Sequence, residues 1–183
     1  MINKTKPFFI EDENFLNKDQ KKMFKFMINN QKVPFFLAPA AVKKNDKFFT
    51  FIHNILRRAD NDIEAPGVVN SSLVDFAKEI LDSFCKKNKI KYKTIYRAAI
   101  NVTTPNNISY KSKPHKDHTF PHKQLLIYLN KAYDGDTIIL DHQDKKYKVI
   151  SPKIYKGIFF DSTNHYHYLP TKGFRIVMII TVI

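Results

Sequence analysis

The chain divides by the period of its apolar positions. Asn17 can cap a helix over residues 18 to about 29, where Met23, Phe24, Phe26 and Met27 mark an uneven apolar face and Pro34 stands beyond the end. A second, better defined helix starts after Asn70 or Ser71 as cap, with Leu73, Phe76, Ala77, Ile80, Leu81 and Phe84 recurring at helical spacing. Lys86, Lys87 and Lys89 suit its C-terminal end, the negative pole of the helix. After Ile90 the period shortens. The stretches TIYRAAINV, QLLIYLN, DTIILD, KYKVIS, KGIFFDS and FRIVMIITVI are short and rich in β-branched or aromatic residues. Turn signals such as Tyr133-Asp134-Gly135-Asp136 and Thr171-Lys172-Gly173 separate them. Strands that follow one another without helices between them predict an antiparallel sandwich or jelly roll. The expected fold is therefore mainly β with N-terminal helices (α+β), in one domain over 1–183: a helical lead-in over 1–90 and a β core over 91–183.

Composition bounds the function. With 183 residues, 43% hydrophobic and 26% charged, the chain can bury a sizeable core, and intrinsic disorder is excluded as a class. The longest apolar run, 176–183, is too short to cross a bilayer, and the N-terminal stretch lacks a long apolar segment, so the expectation is a cytoplasmic protein without a membrane partner. Cys85 is the single cysteine, which rules out an internal disulfide or a thiolate-rich metal cage; it lies on the apolar face of the second helix and reads as a buried structural thiol. The formal charge of +14 raises a nucleic-acid partner. Against it, the lysines are scattered, only four arginines occur, and lysine, asparagine and isoleucine are enriched together, as A/T-rich coding produces. A solvated basic surface is the favoured reading, a basic groove the other.

The candidate chemistry begins at PHKDHTFPH, 114–122, where three histidines and an aspartate precede a strand-like run. On an extended chain, side chains two apart point the same way, so His115 and Asp117 can reach one ion while His118 faces away. Pairing His118 with His122 would need a helix, which Pro121 would disrupt. A distant partner comes from HYHYLPTKGFR, 165–175, directly after the strand GIFFDS. His165 and His167 share a face there, so parity does not separate them. Two imidazoles and one carboxylate leave three coordination positions open, the arrangement associated with non-haem Fe(II) acting on O₂.

His115-x-Asp117, a histidine about fifty residues on and an arginine ten after that resemble the 2-oxoglutarate/Fe(II)-dependent oxygenase superfamily. The opening FFIEDENFL before a helix, the strand ending IYLN and the acidic-glycine turn before DTIIL resemble its prolyl-4-hydroxylase-like branch. The likeness is loose over the whole chain and good over 95–182. It implies a double-stranded β-helix, a cupin-like jelly roll whose mouth holds the metal. It also implies Fe(II), 2-oxoglutarate as cosubstrate, O₂ and ascorbate as an accessory reductant. The implied reaction hydroxylates an unactivated C–H bond of a prolyl, peptidyl, amino-acid or small-molecule substrate and releases succinate and CO₂.

By the same resemblance the metal ligands are His115, Asp117 and His165. His165 is preferred to His167 because Gly173 and Arg175 stand eight and ten residues after it, the family's frequent spacing, although Pro170 lies one position later than usual. His167 becomes a neighbour of the metal or of the substrate. Arg175 interrupts an apolar strand, where a buried guanidinium needs an anion. The resemblance supplies one, the distal carboxylate of 2-oxoglutarate, held bidentately. Tyr128 resembles a tyrosine that bonds the same carboxylate, a core aromatic being the other reading. Asn101 occupies a strand position near the cosubstrate, although Thr103 and Thr104 stand where the family often has tyrosine. Asp161, His118, His122, His142 and His53 read as structural or surface groups. Elements before residue 95 and the 103–114 loop should frame the entrance. Two alternatives come from other classes: a cupin-like metal-binding module or isomerase, which has no use for Arg175, and a basic nucleic-acid-binding protein. A nucleic-acid demethylase of the same superfamily is disfavoured because Thr181 stands where such enzymes usually carry a second arginine.

Overall fold

The structure, a computed structural model, describes residues 6–30, 32–40, 49–106 and 110–183. Among these are two α-helices, α1 (Lys18–Asn29) and α2 (Val74–Lys87), and thirteen strands. The strands are β1 (Phe9–Asp12), β2 (Phe36–Ala38), β3 (Thr50–Arg57), β4 (Val68–Val69), β5 (Ile95–Thr103), β6 (Lys123–Tyr128), β7 (Tyr133–Asp134), β8 (Thr137–Leu140), β9 (Lys146–Ile150), β10 (Gly157–Asp161), β11 (His165–His167), β12 (Pro170–Lys172) and β13 (Arg175–Val182). α1 begins as its sequence predicts, with Asn17 and Gln20 closing a reciprocal capping box. α2 starts later than expected. Ser71 is not its side-chain cap, because the Ser71 hydroxyl accepts from the Leu73 amide and bonds His53 Nε2.

The main sheet runs β1-β10-β6-β13-β5-β3-β2, with β4 also on β3; a smaller sheet runs β11-β8-β9, and β12 pairs with β7. Every pairing is antiparallel. This is a mainly β fold of jelly-roll type. The expectation of a helical first half is corrected: four strands lie before residue 90, and β1, β2 and β3 belong to the main sheet. They were hidden by pattern. β2 spans three residues, and β3 buries Thr50, His53, Ile55 and Leu56 without a clean alternation.

Alternation along the central strands divides the interior in two. Leu125 and Ile127 of β6, Met178 and Ile180 of β13, and Ala98 and Ile100 of β5 pack with Phe24, Ile80 and Phe84 of the helices. The residues of opposite parity, among them Leu126, Tyr128, Val177 and Ile179, pack with Ile139 of β8 and Ile150 of β9. A sheet covered on both faces explains why its strands read as nearly continuous apolar runs. It also fixes the side on which a polar residue lands. Arg175 shares parity with Val177 and Ile179, and Arg97 with Asn101, so all point between the two sheets. On the helix side Cys85 is buried, and burial pushes its thiol up to about 11, consistent with a structural residue.

Candidate metal centre and the cavity behind it

His115 and His165 face each other across an antiparallel bridge, each amide donating to the other's carbonyl at 3.0 and 2.9 Å. Lys111 and Tyr168 also pair antiparallel, through the Ser112 amide to His167 O and the Leu169 amide to Tyr110 O, both at 2.9 Å, so this segment extends the edge of the smaller sheet beside β11. The imidazole centroids are 4.5 Å apart. Asp117 lies beyond the bridge, in a bend rather than on the strand its spacing suggested, and still reaches the same point. His115, Asp117 and His165 each offer a ligand atom, and these atoms lie within 4.8 Å of one another.

The surroundings of the three groups suit a cation. His115 Nδ1 donates to Lys113 O at 2.9 Å, and His165 Nδ1 to Thr163 O at 3.3 Å. Each ring therefore carries its lone pair on Nε2. The side-chain nitrogen of Gln124 lies 3.2 Å from His165 Nδ1. Asp117 is buried; one carboxylate oxygen lies 3.4 Å from Arg97 Nη1, and the other has no hydrogen-bond partner. A buried carboxylate oxygen without a partner is costly unless a cation meets it. Burial alone would raise the Asp117 pKa, yet His165, Arg97, His115 and Arg58 together hold it well below the usual carboxylate range. Burial, reinforced by His115, holds His165 down at about 4, so its nitrogen stays available. Two nitrogens and one carboxylate oxygen fit ferrous iron with positions left open.

The centre lines a cavity of about 120 Å³ between the sheets, whose wall also includes Asn101, Thr137, His167 and Arg175. Arg175 is 2% exposed. Its Nε donates to Gly135 O at 2.9 Å and its Nη2 to Thr137 Oγ1 at 2.8 Å. The turn that delivers that carbonyl needs positive φ at Asp134 and Gly135, and a Cβ on Gly135 would press the Arg175 side chain at 3.2 Å. Tyr128 is not in the cavity wall. Its hydroxyl donates to Thr137 Oγ1 at 2.7 Å, and its ring lies 5.6 Å from the Arg175 guanidinium carbon. Asn101 Oδ1 is buried without a hydrogen-bond partner. His167 stands outside the group of three, bonded through Nδ1 to Ser112 Oγ at 3.2 Å; burial and then the Arg175 charge push its pKa far down.

Of the histidines read as structural or surface groups, His118 and His53 are held at both ring nitrogens, whereas His122 bonds the Phe120 carbonyl through Nδ1 and its buried Nε2 has no partner. His118 is held by Asp62 at 2.6 Å and Thr181 at 2.8 Å, and His53 by the Pro34 carbonyl and Ser71. Four residues of the site escaped the sequence reading: Arg97, Arg58, Gln124 and Thr137. Of these only Arg97 left a signal, a guanidinium inside the apolar strand TIYRAAINV. Thr50, Ile52 and Arg58 of the first half line the cavity; within the 103–114 loop, residues 107–109 lie outside the described residues. Among the described residues no helix is long and apolar enough to cross a membrane.

No protein-family model and no curated protein matches the sequence. Its fold, however, is that of the 2-oxoglutarate/Fe(II) oxygenases. An oxidoreductase of the 2OG-Fe(II) oxygenase family from Burkholderia pseudomallei superposes with a TM-score of 0.73 at 12% identity, over 95% of this chain and 84% of that one. A prolyl-4-hydroxylase from Pseudomonas putida gives 0.62 at 11% identity, over 95% and 91%. A prolyl hydroxylase from Trichoplax adhaerens, solved with a hypoxia inducible factor peptide fragment, gives 0.63 at 13% identity, over 95% and 82%.

Proposed function

We propose that the protein is a 2-oxoglutarate- and Fe(II)-dependent dioxygenase that hydroxylates an unactivated C–H bond. The observation that carries the reading is the conjunction in one cavity of His115, Asp117 and His165, with an unpartnered buried carboxylate oxygen, and a buried guanidinium at Arg175. A metal-binding module without oxygen chemistry has no need of that guanidinium. His115, Asp117 and His165 would hold the iron, and with 2-oxoglutarate and O₂ it would supply oxidative decarboxylation coupled to C–H hydroxylation, one oxygen atom going to succinate and one to the substrate, with release of CO₂.

The protein's share is orientation. Arg175, fixed by Gly135 O and Thr137, presents its fork to the distal carboxylate of the cosubstrate. Thr137 Oγ1 already accepts from both Arg175 and Tyr128, so its own hydrogen is left to donate toward the same carboxylate. Tyr128 thus acts through Thr137. Asn101, with its oxygen unpartnered on the adjacent wall, lies beside the path between metal and Arg175. The substrate would enter from the side framed by Thr50, Ile52 and Arg58. Peptidyl or amino-acid substrates are the first candidates, given the peptide held by the Trichoplax protein.

The ligand assignment is tested by anaerobic equilibrium dialysis with Fe(II). One iron per chain is expected in the wild type and in His167→Ala, with iron lost in Asp117→Ala and His165→Ala. Loss in His167→Ala with retention in His165→Ala would reverse the choice of histidine.

A further inference from the structure

A second buried guanidinium stands at the end of the cavity away from Arg175, and the reaction above does not use it. Across the sheet Arg175 faces Thr103, whereas Arg97 faces Thr181, and Thr181 faces Gln124. The two rows are six residues apart along β13, roughly 20 Å at the usual rise of a strand. The candidate metal ligands sit at the Arg97 end, since Arg97 touches Asp117 and Gln124 touches His165. A cosubstrate reaching from the metal toward Arg175 therefore leaves the Arg97 side open.

Arg97 is 8% exposed, and among the described residues its one side-chain hydrogen bond or ion pair is Nη1 to Asp117 Oδ1 at 3.4 Å. A guanidinium carries five N–H donors. Arg97 lines the cavity together with Arg58 and the exposed Lys116. With the proposed occupants in place, Asp117 and the cosubstrate dianion are balanced by ferrous iron and Arg175. Arg58 has Asp62 at 3.7 Å. Arg97 shares its ion-pair partner Asp117 with the proposed metal, so the count leaves one buried positive charge in excess, a costly state unless a further anion meets it.

We propose that Arg97, with Arg58 and Lys116 at the rim, recognises an anionic group of the primary substrate, a carboxylate or a phosphate, on the side of the metal away from Arg175. This rests on the oxygenase reading and narrows it. A small acid, such as a free amino acid or a phosphate ester, fits this end of the cavity; a prolyl residue inside a peptide brings no anion of its own.

The chain has four arginines, Arg57, Arg58, Arg97 and Arg175, so its arginine Nε–Hε NMR region holds four resonances. Single Arg→Lys variants assign them, and if Arg97→Lys does not fold, Arg97 is the resonance left over. Protein loaded with Zn(II), a diamagnetic substitute for iron, is titrated first with 2-oxoglutarate, to which Arg175 reports. Acetate and inorganic phosphate follow, at constant ionic strength. The expected result is a saturable shift of the Arg97 resonance, by acetate for a carboxylate site and by phosphate for a phosphoryl site. Arg57, which pairs with Asp60 on the exposed surface, should show only the drift of the medium. An Arg97 resonance that neither anion moves, or that only drifts as Arg57 does, overturns the proposal, and a response of Arg175 to 2-oxoglutarate then leaves the oxygenase reading standing. A silent Arg175 overturns both.

Discussion

Arg175 and Arg97 are the same signal written twice: a guanidinium interrupting an apolar central strand. A buried guanidinium needs an anion, and Tyr96-Arg97-Ala98 sets that condition as fully as Phe174-Arg175-Ile176 does. His115, Asp117 and His165 were legible because a short motif and a fixed distance to Gly173 and Arg175 single them out. Gln124, Thr137 and Arg58 were not. They are ordinary residues in strand and loop contexts, and only strand pairing and chain crossing bring them to the cavity. The role proposed for Arg175 has a residue-scale test. Replacing it with Gln removes the charged fork and leaves a neutral side chain, which should weaken 2-oxoglutarate binding about 10- to 100-fold. Iron binding should persist. Calorimetric titration in the presence of Mn(II) measures the effect, and unchanged cosubstrate affinity would remove the role.

At the scale of elements, the second half of the chain was readable because its strands are long, apolar and separated by turn residues. The first half was not, because β2 is short and β3 mixes His53 and Asn54 into an irregular pattern. The His115-Asp117 pair was expected on a strand; a single bridge followed by a bend achieves the same convergence. That bridge works because β11 lies on β8, which faces the main sheet, so the site depends on how closely the layers pack. On the other face of the main sheet, Gly157 on β10 shows how closely the helices pack. A Cβ there would meet Phe15 Cε1 at 2.7 Å and Phe84 Cε2 at 2.9 Å, in the cluster that seats α2 on the sheet. Gly157→Ala should therefore destabilise the fold by about 1–3 kcal/mol, read as a lower urea midpoint. A midpoint equal to or above that of the wild type would show that the aromatic pair gives way at no cost.

For the whole molecule, the histidines set a pH dependence. Burial lowers the pKa of His118, His122 and His167, and holds His165 at about 4 against an ordinary 6.5. The unfolded chain therefore takes up protons below about pH 6.5 that the folded chain resists, so stability is complete above that pH and falls as pH drops toward 4. His165 alone accounts for roughly 3 kcal/mol of that loss. Urea unfolding of the metal-free protein at pH 7 and pH 4.5 should show the lower midpoint in acid; equal midpoints would mean that these rings are not buried and neutral. The net charge of +14 enters differently. The scattered lysines read as a solvated surface, and the cationic groups lining the cavity are Arg58, Arg97 and Arg175 together with Lys116.

The most direct test of the central claim is an anaerobic difference spectrum of the protein with Fe(II) and 2-oxoglutarate. Chelation of the keto acid at the proposed centre predicts a weak visible charge-transfer band in the wild type and its loss in Asp117→Ala. Well-folded wild-type protein that shows no such band with both ligands in excess would contradict the account.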